Sequence, residues 1–121
     1  LGVKIVVTEL DVDVLPAVTI QPTADVSERA AATAKTNPYT AGLPEEIQKA
    51  LTKRYGEIFA VLLKHKDAIT RVTFWGVTDR ESWLNNYPAP GRTNYPLLFD
   101  REGKPKPAFD AVMGTAADTT K

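Results

Sequence analysis

The 121-residue sequence contains no cysteine and a single histidine. The lack of cysteine excludes disulfides and thiolate metal sites, and one histidine argues against a His-based metal site or a self-contained Ser-His-Asp triad. Basic and acidic residues number 15 each, so the sequence lacks the positive excess typical of nucleic-acid-binding proteins. No apolar run approaches the roughly 18 residues of a transmembrane helix. We therefore expect no metal, no cofactor, no nucleic-acid partner and no membrane span.

What the sequence does contain is the composition of a globular domain, with 43% hydrophobic and 25% charged residues. Its most informative stretch starts at Val3, where an apolar, β-branched run ends in a Glu-Leu-Asp sequence. Such a run predicts a parallel strand over residues 3–8 that is buried on both faces and delivers carboxylates to one edge of a sheet. Because side chains alternate along a strand, we expect Val7, Glu9 and Asp11 to share one face.

A helix and a second strand complete a predicted βαβ unit. Apolar residues at helical spacing predict a helix over residues 44–66, and β-branched and aromatic residues predict a strand over residues 71–77. The two strands of such a unit are parallel. We therefore expect Glu9 and Trp75, which lie near the two strand ends, to lie on one face.

The segments around this unit are less regular. Residues 17–42 predict a long loop at the rim of the site. Residues 108–113 predict a last short helix, which would close a domain at residues 1–114 and leave residues 115–121 as a frayed tail. Leu1-Gly2 resembles a helix end with its glycine terminator, so we expect the chain to begin inside a fold.

Two parallel strands and two helices cannot close a sheet by themselves. The outer strand edges would leave backbone groups unpaired beside large apolar surfaces, which favours aggregation. We therefore expect the chain to require further strands, from a preceding segment or from another chain.

The turn-rich stretch between the second strand and the last helix carries several polar residues. Five residues of this stretch could line a cleft, but turn chemistry explains most of them: Asn85, Asn86, Tyr87, Arg92 and Asn94. Asp13 and Asp79 are interpreted as structural hydrogen-bond partners rather than catalytic groups.

Four parts of the sequence, taken in order, carry a family resemblance: Val7–Asp11, Arg71–Asp79 followed by Ser82–Leu84, Pro96–Asp100 and Lys106–Phe109. Together they resemble the C-terminal part of glycoside hydrolase family 10, whose members are chiefly endo-β-1,4-xylanases. The resemblance implies an α/β fold, the TIM (β/α)8 barrel, of which this chain would supply about the seventh and eighth strand–helix units. Because such a barrel takes about 250 residues, the N-terminal part of the same catalytic domain is an expected partner, as a companion chain or a preceding segment.

The resemblance also implies roles for individual residues. Glu9 would be the nucleophile of a retaining hydrolysis of xylan, and the acid/base glutamate would come from the fourth strand, in the N-terminal part. Asp11 matches an aspartate that helps to hold a histidine of the sixth strand against the nucleophile. Trp75 and Trp83 match tryptophans that wall the sugar site nearest the cleavage point, and Arg80 is a further candidate for substrate binding. Since the family is mostly secreted, we expect an extracellular protein.

The residues by themselves permit plainer interpretations. Glu9 and Asp11 could be acids at a strand end, Trp75 could be barrel core, and Arg80 could be a solvated loop charge. For the whole chain three functions stay open. It could be one part of a working xylanase, an inactive barrel fragment with at most weak xylan binding, or a related β-glucanase.

Overall fold

The computed structural model describes residues 2–17 and 34–119, so most of the predicted loop over residues 17–42 lies outside the described residues. The elements follow in the order β1 (Ile5–Leu10), α1 (Glu45–Lys64), β2 (Ile69–Phe74), two 3₁₀ helices (Asp79–Glu81 and Trp83–Asn85) and α2 (Pro107–Thr119). Within the described ranges, no helix is both long enough and apolar enough to cross a membrane.

The two strands pair in parallel, which confirms the predicted βαβ unit. Their bounds differ from the prediction. β1 extends to Leu10, so Glu9 lies inside the strand rather than beyond its end. β2 ends at Phe74, and the chain turns away from the sheet two residues later, where Gly76 has a φ of 139°.

The register of the two strands shifts at two places, between Ile5 and Val6 and between Val7 and Leu10, and the second shift has the form of a β-bulge. Val7 pairs with Val72, and Leu10 pairs with Phe74, so three steps along β1 correspond to two steps along β2. Val72 and Phe74 are two residues apart and therefore lie on one face of the sheet. Val7 and Leu10 lie on this same face, and the extra residue of β1 is accommodated between them.

The bulge changes which side chains accompany Glu9. Leu10 and Val12 pack against the hydrophobic core that the helices form with the sheet. Glu9 and Asp11 alternate with them and so lie on the opposite face. Val7 lies on the core side with Leu10, and the prediction that it shares the face of Glu9 and Asp11 is wrong. Strict alternation fails because one extra residue shifts the phase of the strand.

Helix α1 forms where the apolar stripe predicted it. Pro44 precedes its first turn and Glu45 and Glu46 occupy that turn, where carboxylates interact favourably with the helix dipole. Leu51 and Tyr55 are its buried residues. The Tyr55 ring lies 5.9 Å from the ring of Phe74 on β2, so the helix packs directly on the sheet.

The core between the helices and the sheet is small. Its buried members come from α1, from the loop before α2 and from α2 itself: Leu51, Tyr55, Leu98, Ala108 and Val112. Partly buried side chains from both strands and both helices pack around them. This core covers one face of the sheet.

Most residues of β1 are exposed. Ile5 and Val6 are 51% and 40% exposed, so the predicted burial of the first strand on both faces is not found. In the described part of the chain the sheet consists of β1 and β2. A β-branched run such as this one is buried on both sides only when further strands and side chains surround it.

Helix α2 is longer than predicted. It runs from Pro107 to Thr119, so residues 115–119 are helical rather than part of a frayed tail. Ala108 and Val112 are 2% and 7% exposed and anchor the helix in the core. A helix that is anchored in this way propagates through residues of low intrinsic preference, because each further residue adds a hydrogen bond at little extra cost.

We expect Gly76→Ala to lower the free energy of unfolding by about 1–3 kcal/mol. Its φ of 139° suits glycine alone, and a Cβ there would lie 3.0 Å from Cδ1 of the buried Leu97. Gly91→Ala is a matched control, because Gly91 also has a positive φ, of 77°, but an added Cβ would meet nothing within 4 Å. Equilibrium urea unfolding should show the larger loss for Gly76→Ala, and equal losses would contradict a role for the Leu97 contact.

Candidate active site

Glu9 and Trp75 lie near the C-terminal ends of the two paired strands. The Trp75 N–H donates to the Leu10 carbonyl at 3.0 Å and so continues the ladder beyond β2. Trp75 follows the last residue of β2 and is 46% exposed, and Glu9 is also exposed. That Glu9 and Trp75 share one face stays a prediction.

Trp83 reaches this region from the loop after β2. It starts a 3₁₀ helix that Ser82 caps, since the Ser82 hydroxyl accepts a hydrogen bond from the Leu84 N–H at 3.2 Å. Ser82 and Leu84 are buried on either side of it, while Trp83 is 43% exposed. Its indole Nε1–H donates to Oδ2 of Asp11 at 2.8 Å. The loop is thereby joined to the end of β1.

A second aromatic residue stands beside Trp83. The rings of Trp83 and Tyr87 are stacked with centroids 4.9 Å apart and an interplanar angle of 28°. Tyr87 is 58% exposed. Stacked aromatic rings with exposed surface suit the apolar faces of pyranose rings. Tyr87 is one of the turn residues that could line a cleft by sequence, and its contact with Trp83 is visible only in the folded loop.

Arg80 lies in the 3₁₀ helix at Asp79–Glu81 and is exposed. Its backbone carbonyl accepts a hydrogen bond from the Asn85 side chain at 3.1 Å. This contact belongs to the loop rather than to a ligand site. A role for the Arg80 guanidinium in substrate binding stays a prediction.

A buried ion pair lies under the loop. Oδ2 of Asp79 accepts from Nζ of Lys106 at 2.9 Å, and Oδ1 accepts from the Leu97 N–H at 2.8 Å. Lys106 also donates to the carbonyls of Tyr95 and Leu97, each at 2.8 Å. Burial raises the pKa of Asp79, and the Lys106 charge opposes that rise. Burial likewise lowers the pKa of Lys106.

A chain of amide side chains joins this pair to the end of β1. Nδ2 of Asn85 donates to the Asp79 carbonyl at 2.8 Å, and Oδ1 of Asn85 accepts from the Asn94 N–H at 2.8 Å. Nδ2 of Asn94 donates to Oδ1 of Asp13 at 2.8 Å. Asp13 and Asp79 each accept hydrogen bonds from other residues of the fold, as the sequence indicated. Asn85 and Asn94 are buried parts of the same network.

Arg92 ties three parts of the chain together. Its guanidinium is buried and donates to the carbonyls of Pro16, Thr36 and Tyr87 at 3.0, 3.2 and 3.3 Å. Its exposure of 5% excludes a direct role as a cleft-lining residue. This contact could not be predicted from the sequence, because an arginine in a turn-rich stretch is usually solvated.

The arrangement as a whole defines a class of site. An exposed carboxylate lies at a register shift near the C-terminal end of a parallel strand, and two exposed indole rings follow the neighbouring strand, one of them hydrogen-bonded to Asp11. The C-terminal face of parallel strands is where barrel enzymes bind substrate. Such a set of groups is typical of an enzyme that acts on carbohydrate.

Comparison with known proteins agrees with this class. Residues 1–115 match the model of glycosyl hydrolase family 10. The chain is 43% identical over 112 residues to endo-1,4-beta-xylanase A of Xylanibacter ruminicola, a match that covers 93% of this chain and 30% of the relative. It is 44% identical over 68 residues to an endo-1,4-beta-xylanase of Geobacillus stearothermophilus, covering 56% of this chain and 21% of that protein.

Solved structures give the same result. The fold superimposes on a GH10 endoxylanase from a sugarcane soil metagenome with a TM-score of 0.80 and 48% identity, over 93% of this chain and 30% of the other. Xylanase B from Clostridium stercorarium F9 gives a TM-score of 0.70 and 37% identity, over 92% and 28% of the two chains. The chain belongs to glycosyl hydrolase family 10, a family of TIM-barrel glycoside hydrolases. It spans about 30% of the length of the relatives that it matches along most of its own length.

Proposed function

We propose that this chain is the C-terminal part of the catalytic domain of a retaining endo-β-1,4-xylanase. The β1–α1–β2–α2 order would supply about the seventh and eighth strand–helix units of the barrel. The relatives named endo-1,4-beta-xylanase support the substrate, and the 30% share of their length supports a missing remainder. The exposed face of β1 would then be covered by the N-terminal part of the domain, which is the proposed partner.

The observation that carries the proposal is the placement of Glu9. Glu9 is exposed at the register shift near the end of β1, and Asp11, two residues later, accepts a hydrogen bond from the Trp83 indole. In retaining hydrolysis one carboxylate attacks the anomeric carbon, while a second carboxylic acid about 5–5.5 Å away protonates the leaving oxygen and later activates water. Glu9 is the proposed nucleophile. The second carboxylic acid is proposed to come from the N-terminal part.

Reconstitution tests this proposal. Residues 1–121 would replace the matching segment of the Xylanibacter ruminicola xylanase, and this assembled enzyme would be compared with the chain alone. We expect the assembled enzyme to release reducing sugar from xylan, and the chain alone to release none, because a single carboxylate cannot complete both steps. Hydrolysis of xylan by the monomeric chain alone would contradict the division of the site between two parts.

The same enzyme separates the remaining alternatives. A folded assembled enzyme that binds xylan without cleaving it would indicate an inactive fragment. One relative, 48% identical over 75 residues, is named a thermostable celloxylanase, which makes cellulose oligomers the informative second substrate. A strong preference for cellulose oligomers over xylan would replace the xylanase assignment with that of a β-glucanase.

A further inference from the structure

Trp83 is exposed but held from more than one direction. Leu84 and Asn85, the next two residues, are 6% and 7% exposed and anchor the 3₁₀ helix in the loop. Their burial fixes the backbone at Trp83 without any contribution from the indole. A half-exposed indole on a fixed backbone still has free side-chain rotations, and binding a ligand on it would require that freedom to be lost.

Asp11 restricts the indole at its edge. The 2.8 Å hydrogen bond from Nε1 to Oδ2 of Asp11 is charge-assisted and crosses from the loop to the end of β1. It fixes the direction of the indole plane relative to the strand that carries Glu9. Asp11 therefore has a partner within this chain, in addition to the histidine contact that the family resemblance implies.

Tyr87 restricts the indole at one face. The 4.9 Å stack covers that face of Trp83 and leaves the opposite face as its open side. The backbone of Tyr87 is fixed, because the buried guanidinium of Arg92 donates to its carbonyl at 3.3 Å, and the stack on Trp83 positions its ring. The indole is thus bounded by a carboxylate at its edge and by a ring on one face.

We propose that Asp11 and Tyr87 are positioning residues for Trp83, which leave the indole one open face, at a set angle to Glu9, for a xylose unit of the substrate. The proposal rests on the proposed function. It gives Asp11 a role in sugar affinity that is separate from any effect on the nucleophile. A group that preorganises a binding surface acts on affinity, because the rotational freedom is lost before the ligand arrives.

A double-mutant cycle between Asp11 and Trp83 tests the proposal in the assembled enzyme. Asp11→Ala should weaken xylohexaose affinity about fivefold to tenfold and raise KM more than it lowers kcat. In the Trp83→Phe background, which lacks the indole donor, Asp11→Ala should weaken affinity less than about twofold. Asp11→Asn should regain most of the lost affinity, because the amide oxygen still accepts the bond. Tyr87→Phe should keep the stack on Trp83 and the xylohexaose affinity, whereas Tyr87→Ala should remove the stack and weaken that affinity.

A nuclear magnetic resonance measurement gives a readout that is independent of activity. In enzyme labelled with ¹⁵N-tryptophan, the Trp83 indole signal is identified by its loss in Trp83→Phe. Asp11→Ala should move this signal and Asp11→Asn should restore it in part.

Two results would overturn the positioning role. One is equal weakening by Asp11→Ala in both Trp83 backgrounds, and the other is an unmoved indole signal in an enzyme that cleaves xylan. If Asp11→Asn loses kcat as severely as Asp11→Ala, Asp11 acts through its charge on the nucleophile and the proposal is wrong. Absence of any xylo-oligosaccharide binding in the folded enzyme would instead refute the proposed function, and with it the sugar-binding part of this proposal.

Discussion

Glu9→Gln is expected to lower xylan hydrolysis by the assembled enzyme at least about 10⁴-fold. The amide keeps the shape of the carboxylate but cannot form the glycosyl-enzyme bond. Because Glu9 is exposed in β1 and is not part of the buried network, the fold and the sugar contacts of Trp75 and Trp83 should persist. Xylohexaose affinity, measured by calorimetry, should stay within a few-fold of the parent value.

A second glutamate provides the control. Glu46 is exposed in the first turn of α1, on the far side of the core from Glu9. Glu46→Gln should leave hydrolysis essentially unchanged. Unaltered turnover in Glu9→Gln would remove Glu9 from the nucleophile position.

The stereochemistry of a rescued reaction distinguishes the nucleophile from the acid/base group. In Glu9→Ala, azide could attack the anomeric carbon of an activated aryl xyloside from the side that the carboxylate had occupied. A single displacement inverts the anomeric configuration, whereas two successive displacements retain it. We expect the azide adduct with inverted configuration. A retained configuration would assign the acid/base role to Glu9.

Lys106→Met is expected to lower the free energy of unfolding by about 3–5 kcal/mol. Lys106 and Asp79 are 5% and 0% exposed, so loss of the ammonium leaves the carboxylate buried without its cation. It also leaves the carbonyls of Tyr95 and Leu97 without a donor. Lys104→Met, at an exposed lysine two residues earlier, should change stability by less than about 0.5 kcal/mol.

Acidification should reduce the loss of unfolding free energy that Lys106→Met causes. Burial raises the pKa of Asp79 above that of an unfolded aspartate, and the variant lacks the charge that opposes this rise. A carboxyl group with a raised pKa, such as Asp79, stabilises the folded state at low pH. This contribution to the free energy of unfolding is lost as the pH rises through the folded-state pKa. Urea unfolding at neutral and mildly acidic pH would measure the change. A deficit that is independent of pH, or equal to that of Lys104→Met, would contradict the account of a buried uncompensated charge.

The sequence was sufficient for the main elements of the fold. The 3.6-residue stripe of α1 and the β-branched strands follow from local rules, and the parallel pairing follows from the βαβ order. Pairing register, however, depends on both strands at once, so the bulge between Val7 and Leu10 had no visible sign in either strand alone.

The site was less accessible from the sequence than the fold. Carboxylates and tryptophans near strand ends were identified because their chemistry is distinctive. Asn85, Arg92 and Asn94 have the composition of turn residues, and their burial results from contacts that reach across the loop. Contacts between residues as distant in sequence as Asp11 and Trp83 depend on the folded loop, which local patterns do not encode.

The buried network has a consequence for how the family can diversify. Its hydrogen bonds connect residues between Asp13 and Lys106, so the loop that carries Trp83 is supported from within the same segment that carries Glu9. A recombination event that exchanged this segment between relatives would transfer Glu9 together with the loop that carries Trp83, and the hydrogen bonds that join them would be preserved. Tyr87 is exposed and its side chain lies outside these hydrogen bonds, so that side chain can vary while the network is kept.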